Sequence, residues 1–398
     1  MADATAQRAR AITESLTLAI TARARALRAA GEDVIGFGAG EPDFRTPDHV
    51  VAAAQRACAD PAMHRYSPTG GLPPLREAIA AATKRNSGLD ARPDEVVVTN
   101  GGKHALYNVF QALVDPGDEV LLPAPYWVSY PEQARLAGAE VVALPTDVAS
   151  GFRVGVDQLE AARTARTKLL VFCSPSNPTG AVYPPEQVAA IGRWAAEHGV
   201  WVVCDEIYEH LVYGDARHVS LPVVAPAARE RCVVVNGVAK TYAMTGWRVG
   251  WSIAPSPVTR AMLRLQSHAT SNVANVSQAA ALAALDGPLD VVARMRDTYE
   301  RRRALAHERL DALPGVECPL PDGAFYVFPS VAGVLGRPVA GRRTARTSLE
   351  LCDVLLETAR VALVPGEGFG APGCLRLSYA LSDEELVTGL DRIADVLG

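Results

Sequence analysis

Val233-Val-Val-Asn-Gly-Val-Ala-Lys240-Thr-Tyr-Ala-Met-Thr-Gly-Trp-Arg248-Val-Gly250 begins as an apolar, β-branched run of strand type and breaks at Asn236-Gly237. Lys240 follows the break, and Arg248 stands eight residues further on, ahead of a second apolar run. A lysine just past a buried strand end, among small and apolar neighbours, is poorly solvated. Desolvation favours its neutral amine and lowers its pKa, the state a lysine needs to attack a carbonyl carbon. Taken alone, Lys240 reads at least as well as a loop lysine that reaches solvent. The rest of the chain decides between the two.

The chain has 398 residues, enough for one or two α/β-sized domains, and a net charge of −5 with acids and bases interspersed. No basic stripe with interleaved aromatics is present, which argues against a nucleic-acid partner. The stretch from Met1 to Ala30 is rich in Ala and Arg and lacks an apolar h-region, so a signal peptide is not expected. No apolar run is long enough to cross a bilayer. The seven cysteines form no CxxC pair, and Cys173, Cys204 and Cys232 sit inside apolar runs. They read as small buried hydrophobes in a reducing, cytoplasmic setting. The histidines show no HxxxH or HExxH spacing, and no metal is inferred.

Residues 8–30 read as one amphipathic helical arm. Gly36, Gly38 and Gly40 then precede Glu41-Pro42-Asp43. No helix can open there and no third glycine falls at the right step, so a Rossmann NAD site is rejected. The turn instead lets backbone approach a ligand closely. From Glu95 the pattern is regular. Strand-length apolar runs fall at Val96–Thr99, Val120–Leu122, Val141–Leu144, Leu169–Cys173, Val200–Cys204, Val233–Val235 and Val249–Ile253. Most are separated by helix-like segments such as His104–Leu113, Pro185–His198 and Pro257–His268. Continuous apolar runs imply strands buried on both faces, and their alternation with helices implies a largely parallel sheet. After Gly287-Pro288, Leu289–Leu313 reads as one long helix. Short strands near Ala324–Phe328 and Leu375–Ser378 suggest a smaller α+β unit.

In an open parallel sheet, ligands bind beyond the carboxyl ends of the strands. At one such end, Gly101-Gly102-Lys103-His104 leads at once into a helix. Bare amides and a helix N-terminus there suit a phosphate, or form only a tight connection. At a second end, Asn177 stands between Pro175 and Pro178, in a loop stiff enough to aim its amide, or in a plain loop. At a third, Asp205 closes an apolar strand. That is costly unless it meets a cation or donors, though Asp205 also reads as the N-cap of a following helix. Glu206 is expected to face a helix or solvent. The fourth is the Lys240 stretch. A phosphate cradle, a carboxylate, an amide, the Tyr208 phenol and a lysine on one face are what pyridoxal phosphate (PLP) requires: the lysine to bind it and the carboxylate to keep its ring nitrogen protonated.

These residues resemble the class I aminotransferases of PLP fold type I, especially the bacterial aspartate aminotransferase-like subgroup. The resemblance runs from about Arg8 to Leu397. It is carried by Gly40-Glu-Pro-Asp-Phe, Tyr66 in Arg-Tyr-Ser-Pro, Gly101-Gly-Lys, Pro125-Tyr-Trp-Val-Ser-Tyr, Asn177-Pro-Thr-Gly, Asp205-Glu-Ile-Tyr, Ala239-Lys and Arg376-Leu-Ser-Tyr. It implies a large domain over 48–288, with a seven-stranded, mostly parallel sheet between helices. A small domain is implied from 1–47 and 289–398.

By the same resemblance Lys240 is the Schiff-base lysine and the proton-moving base, and Asp205 pairs with the ring nitrogen. Tyr208 and Asn177 bond the ring's phenolic oxygen. Arg248, Gly101, Gly102 and Lys103 hold the phosphate. Trp127 stacks on the ring, and Arg376 clamps the substrate α-carboxylate with Gly40 and Asn177 assisting. Tyr66 reaches the phosphate of a neighbouring subunit, which implies a homodimer with shared sites. Many members carry Ser or Thr where Gly237 stands. One branch grips a second carboxylate with a lysine where Thr13 stands, which leaves Lys103 for an acidic substrate. Side-chain selectivity is expected from Ser15, Thr17, Lys103, Phe325 and residues near Ser271 supplied by the partner subunit. The implied reaction is ping-pong transamination of an aspartate-like or aromatic donor, with 2-oxoglutarate or oxaloacetate as acceptor. A β-eliminating or C–S lyase on the same fold is the alternative, and a non-catalytic PLP-sensing module a remote one.

Overall fold

The computed structural model describes residues 4–14, 16–339 and 343–398. Its centre is a seven-stranded sheet. The strands are β1 (Val96–Thr99), β2 (Glu119–Ala124), β3 (Glu140–Pro145), β4 (Thr167–Cys173), β5 (Trp201–Asp205), β6 (Cys232–Gly237) and β7 (Gly250–Ile253), in spatial order β1-β7-β6-β5-β4-β2-β3. These are the seven apolar runs of the sequence. All pairings are parallel except those of β7, which runs antiparallel to both β1 and β6. The inversion matters. It puts the amino end of β7, with Arg248 just before it, at the edge where the other strands end.

The continuous apolar runs have the predicted consequence. Val96, Val98, Leu170, Val202 and Val234 pack into one core cluster, whereas Val97, Leu169, Val171, Val203 and Val235 pack into another. Alternate side chains thus go to opposite faces and both are dry. The exception is β3. It was expected to be buried on both faces but has Glu140, Ala143 and Pro145 exposed, whereas β1, at the other edge of the sheet, is buried throughout. An apolar run cannot reveal how much of its two faces the rest of the chain covers.

The helices used below are α1 (Leu16–Ala29), α2 (Gly102–Leu113), α3 (Pro185–His198), α4 (Ser256–Ala269), α5 (Asp290–Asp311) and α6 (Asp383–Leu397), with others between. The expected single arm over 8–30 is in fact two helices, Gln7–Arg10 and α1. Between them Thr13 is tied down by Glu132, through its amide at 3.3 Å and its hydroxyl at 2.8 Å. The strand expected at Ala324–Phe328 shortens to β8 (Tyr326–Val327), in a three-stranded antiparallel sheet with β9 (Val364–Pro365) and β10 (Leu375–Ser378) in the order β9-β10-β8. Ile35–Gly36 pairs in parallel with Val361–Ala362 as a separate two-stranded sheet just ahead of β9, and the Phe37 carbonyl accepts from the Ser378 amide of β10, which joins the segment carrying Gly38 and Gly40 to the three-stranded sheet. No helix among the described residues is long and apolar enough to cross a membrane.

Leu170 is fully buried in β4. Leu170→Ala should cost about 2–5 kcal/mol by the loss of transfer energy and the cavity left behind. Ala143→Lys on the exposed edge should change stability by less than about 0.5 kcal/mol. Denaturant unfolding of the two variants checks the contrast.

Candidate active site

A cavity of about 410 Å³ opens at the carboxyl edge of the large sheet, under α1 and against β8 and β10. Its lining includes Lys103, Trp127, Asn177, Asp205, Lys240 and Arg376. Gly40, Gly102, Tyr208 and Arg248 line it too. The structure therefore brings most of the residues singled out in the sequence to one cavity, because each of them lies within a few positions of a strand end. Gly101 lies under the Arg248 guanidinium at the same edge. Tyr66 does not line the cavity; it is 92% exposed on the outer surface.

Lys240 sits on a single helical turn, Val238–Thr241, directly after β6. Burial lowers its amine to about 8, opposed chiefly by the negative charge of Glu41. Its ammonium donates to the Gly40 carbonyl. The turn starts at Gly237, where an added Cβ would meet the Val249 carbonyl oxygen at 2.9 Å and the Gly250 Cα at 3.0 Å. Close packing of β6 on β7 thus explains a glycine at a position where relatives by resemblance carry a hydroxyl.

Asp205 closes β5. Its carboxylate accepts from the Tyr130 hydroxyl at 2.7 Å and the Ile207 amide at 3.2 Å. Burial still pushes it up to about 6. The amide bond is local, but turns follow Asp205, not the helix that an N-cap role required. Glu206 is not at the surface. It is buried, accepts from Ser220 Oγ at 2.7 Å, and lies 3.5 Å from His218. Glu206, Glu209 and His218 bring their ligand atoms within 4.8 Å of one another, behind β5. The strand alternation that aims Asp205 at the cavity turns its neighbour away.

At the end of β1, Gly101 has φ +81°, and its missing Cβ would fall 2.6 Å from Arg248 Nη2. Arg248, itself at φ 57°, donates to the carbonyls of Thr245 at 3.0 Å and Asn100 at 3.3 Å. The first amides of α2, those of Gly102 and Lys103, have no partner within the helix. The positive end of α2, Arg248 and Lys103 therefore share one corner. Burial and Arg248 together push the Lys103 amine down. Such a corner is unfavourable until an anion enters it. Lys103 also lies 4.9 Å over the Trp127 ring.

Arg376, on β10, is 1% exposed. Nη1 donates to Asn177 Oδ1 at 3.0 Å and Nη2 to the Gly38 carbonyl at 2.7 Å, while Nε is buried without a partner among the described residues. The guanidinium lies between the rings of Tyr326 and Phe369, at 4.6 and 5.1 Å from their centroids. Tyr208, buried after β5, shares a 2.8 Å hydrogen bond with Tyr326. Of the residues expected to set selectivity, Thr17 and Lys103 line the cavity, and Phe325 lies under Lys240 at 5.8 Å from its ammonium. Thr13 is held by Glu132 instead, and Ser15 lies outside the described residues. Sequence reasoning missed Tyr130, Tyr326 and Glu41 as site residues. Tyr130 was inside a quoted motif, yet nothing local says that a helix-start tyrosine reaches β5.

Three features fit PLP: an anion corner of helix amides and arginine, a buried carboxylate already served by a donor, and a lysine with a lowered pKa beside them.

Residues 32–393 match the family described as aminotransferase class I and II. An aspartate aminotransferase of Streptomyces avermitilis is 60% identical over 387 residues, which is 97% of this chain and 95% of the relative. One of Geobacillus stearothermophilus is 48% identical over 388 residues, 98% and 97% of the two chains. Among solved structures, the Rhizobium meliloti aspartate aminotransferase superimposes with a TM-score of 0.95 at 41% identity, covering 99% of both chains. The Thermus thermophilus aspartate aminotransferase with maleate superimposes with a TM-score of 0.93 at 44% identity, covering 99% of this chain and 100% of the other.

Asp205 yields a pH test in the protein free of PLP. Its folded pKa, about 6, lies above the ordinary 3.8. Between those values the folded state binds the extra proton, so stability falls as pH rises through the window, by about 3 kcal/mol in all. Asp205→Asn removes that cost. The variant should match the parent near pH 4 and exceed it above pH 6, and parallel stability curves in urea would contradict the burial argument.

Proposed function

Because the chain belongs to the class I and II aminotransferases, we infer that its cavity moves the amino group of L-aspartate, or of a donor with a similar acidic side chain, to a 2-oxo acid such as 2-oxoglutarate. The enzyme depends on PLP and works by a ping-pong order, in which the first 2-oxo acid leaves before the second enters. When bound, PLP supplies an electron sink for the bonds at the substrate Cα.

The chain's own residues do the rest. Arg248, with the amides of Gly101, Gly102 and Lys103, holds the phosphate. Asp205 holds the ring nitrogen and is itself oriented by Tyr130. Tyr208 and Asn177 serve the phenolic oxygen, and Trp127 covers the ring. Lys240 would hold the cofactor and, once the substrate amine replaces it, would take the Cα proton on Nζ and pass it on to C4′ of the cofactor. A pKa of about 8 keeps a useful share of that amine neutral near physiological pH. Arg376 clamps the α-carboxylate.

The observation that carries the acidic-substrate reading is the pair Arg376 and Lys103 in one cavity. The buried, unpartnered Nε of Arg376 suits one carboxylate, and Lys103 suits a second. The Thermus relative was solved with maleate, a dicarboxylate. In this reading residues 48–288 form the large domain and 1–47 with 289–398 the small one, which closes to exclude water. The enzyme acts as a cytoplasmic homodimer. An aromatic ring as exposed as Tyr66 is suited to the partner's site. All seven cysteines are free, Cys204 and Cys232 included although their sulfurs lie 3.5 Å apart, which suits a reducing compartment.

A half-reaction without acceptor tests this. L-aspartate should yield oxaloacetate in an amount equal to the PLP sites, then stop. Continuous release of ammonia would favour the lyase. Lys103→Ala should raise KM for aspartate about ten- to a hundredfold, the worth of one charge-assisted hydrogen bond, and leave KM for phenylalanine nearly unchanged. Equal effects on both donors would remove Lys103 from side-chain recognition. Lys240→Ala should abolish turnover and covalent retention of PLP through a desalting column.

A further inference from the structure

Tyr326 joins three parts of the site that the motifs treat separately. It lies on β8, in the second sheet, and faces Ser378 on β10, two residues from Arg376. Its hydroxyl is 2.8 Å from that of Tyr208, which follows β5 in the large sheet. Its ring lies under the Arg376 guanidinium. An added Cβ at Gly40 would fall 2.9 Å from its hydroxyl oxygen. Both tyrosines are buried. The bond between them therefore ties the large sheet to the second sheet at the floor of the cavity.

A phenol has one proton to donate and oxygen lone pairs that accept. On the reading above, Tyr208 gives its proton to the phenolic oxygen of PLP. It can then keep its bond to Tyr326 only as the acceptor, so Tyr326 must be the donor. Hydrogen bonds in such a chain polarise one another, and the effect is largest where water is absent. We propose that Tyr326 is a positioning residue that strengthens the hydrogen bond from Tyr208 to the bound cofactor, while its ring fixes the plane of Arg376. The proposal rests on the assignment of PLP to this cavity. It makes one side chain answerable both to cofactor electronics and to the carboxylate clamp.

Tyr326→Phe separates the two roles, since it keeps the ring and removes the hydroxyl. The readout is the visible absorption of the PLP-loaded protein, titrated with pH in the absence of substrate. A weaker bond to the phenolic oxygen leaves more negative charge to hold the proton of the lysine-linked chromophore. Its pKa should rise by at least about half a unit, roughly threefold in proton affinity. Tyr208→Phe should shift it further. Adding Tyr326→Phe to Tyr208→Phe should then do nothing more, because the effect runs through Tyr208. KM for aspartate should stay within about twofold in Tyr326→Phe and rise in Tyr326→Leu, which removes the ring under Arg376. A Tyr326→Phe titration superimposable on the parent's overturns the proposal, as does an equal shift in the presence and absence of the Tyr208 hydroxyl. A parent protein that binds no PLP overturns instead the reading on which it rests.

Discussion

Desolvation at the carboxyl edge of the large sheet governs this protein. Strands dry on both faces deliver their last residues into a place with little water. Whatever ionisable group stands there must be paired, shifted or neutral. Lys240 and Asp205 are shifted toward each other's range, to about 8 and about 6. Arg376 stays charged and is held by Asn177, Gly38 and two aromatic rings. The inversion of β7 is part of the same arrangement, because it returns Arg248 to this edge within eight residues of Lys240. A fully parallel strand would have carried that arginine to the opposite edge.

Much of this was legible in the sequence because strand ends are local events. A run such as Val200–Cys204 followed by Asp205 announces both the strand and the residue at its tip. What depends on contacts across long separations was not legible. Tyr130 reaches Asp205 over 75 positions and Tyr208 meets Tyr326 over 118. The exposure of β3, which β1 at the other edge does not share, depends on how much of its faces distant segments cover, which no residue in it encodes. For Glu206, expected to face a helix or solvent, burial rules out solvent, and the Ser220 that it bonds is the N-cap of the short helix Leu221–Val224. Strand register turns Glu206 from the cavity, but only the fold reveals that Ser220 and His218 wait on the other side. The helical pattern over 8–30 likewise hid a break, because the break is stabilised by Glu132, far along the chain.

The N-terminal segment is held by more than its short strand. Arg302 on α5 bridges Asp43 at 2.8 Å and Asp383 of α6 at 2.6 Å, with its own side chain 9% exposed. Thr245 donates to Glu41 at 3.1 Å, so the segment also touches the loop between Lys240 and Arg248. Gly38 and Gly40 present their carbonyls to Arg376 and Lys240 between the paired residues Ile35–Gly36 and these anchors.

The treatment of a second substrate carboxylate follows from where the arm is anchored. Thr13 occupies the position from which a lysine could grip it, but its side chain is committed to Glu132 on the outside of the cavity. That leaves Lys103, which α2 projects over the Trp127 ring. Lys103 is therefore next to the ring expected to cover the cofactor and next to the anion corner it helps to form. Burial and Arg248 both disfavour its charge, and an incoming carboxylate opposes both. On the proposed reading a dicarboxylate pairs with a buried cation, whereas an aromatic side chain leaves the burial of Lys103 uncompensated. On the same reading, selectivity for acidic donors needs no lysine from the arm, because the cation at the start of α2 takes that part.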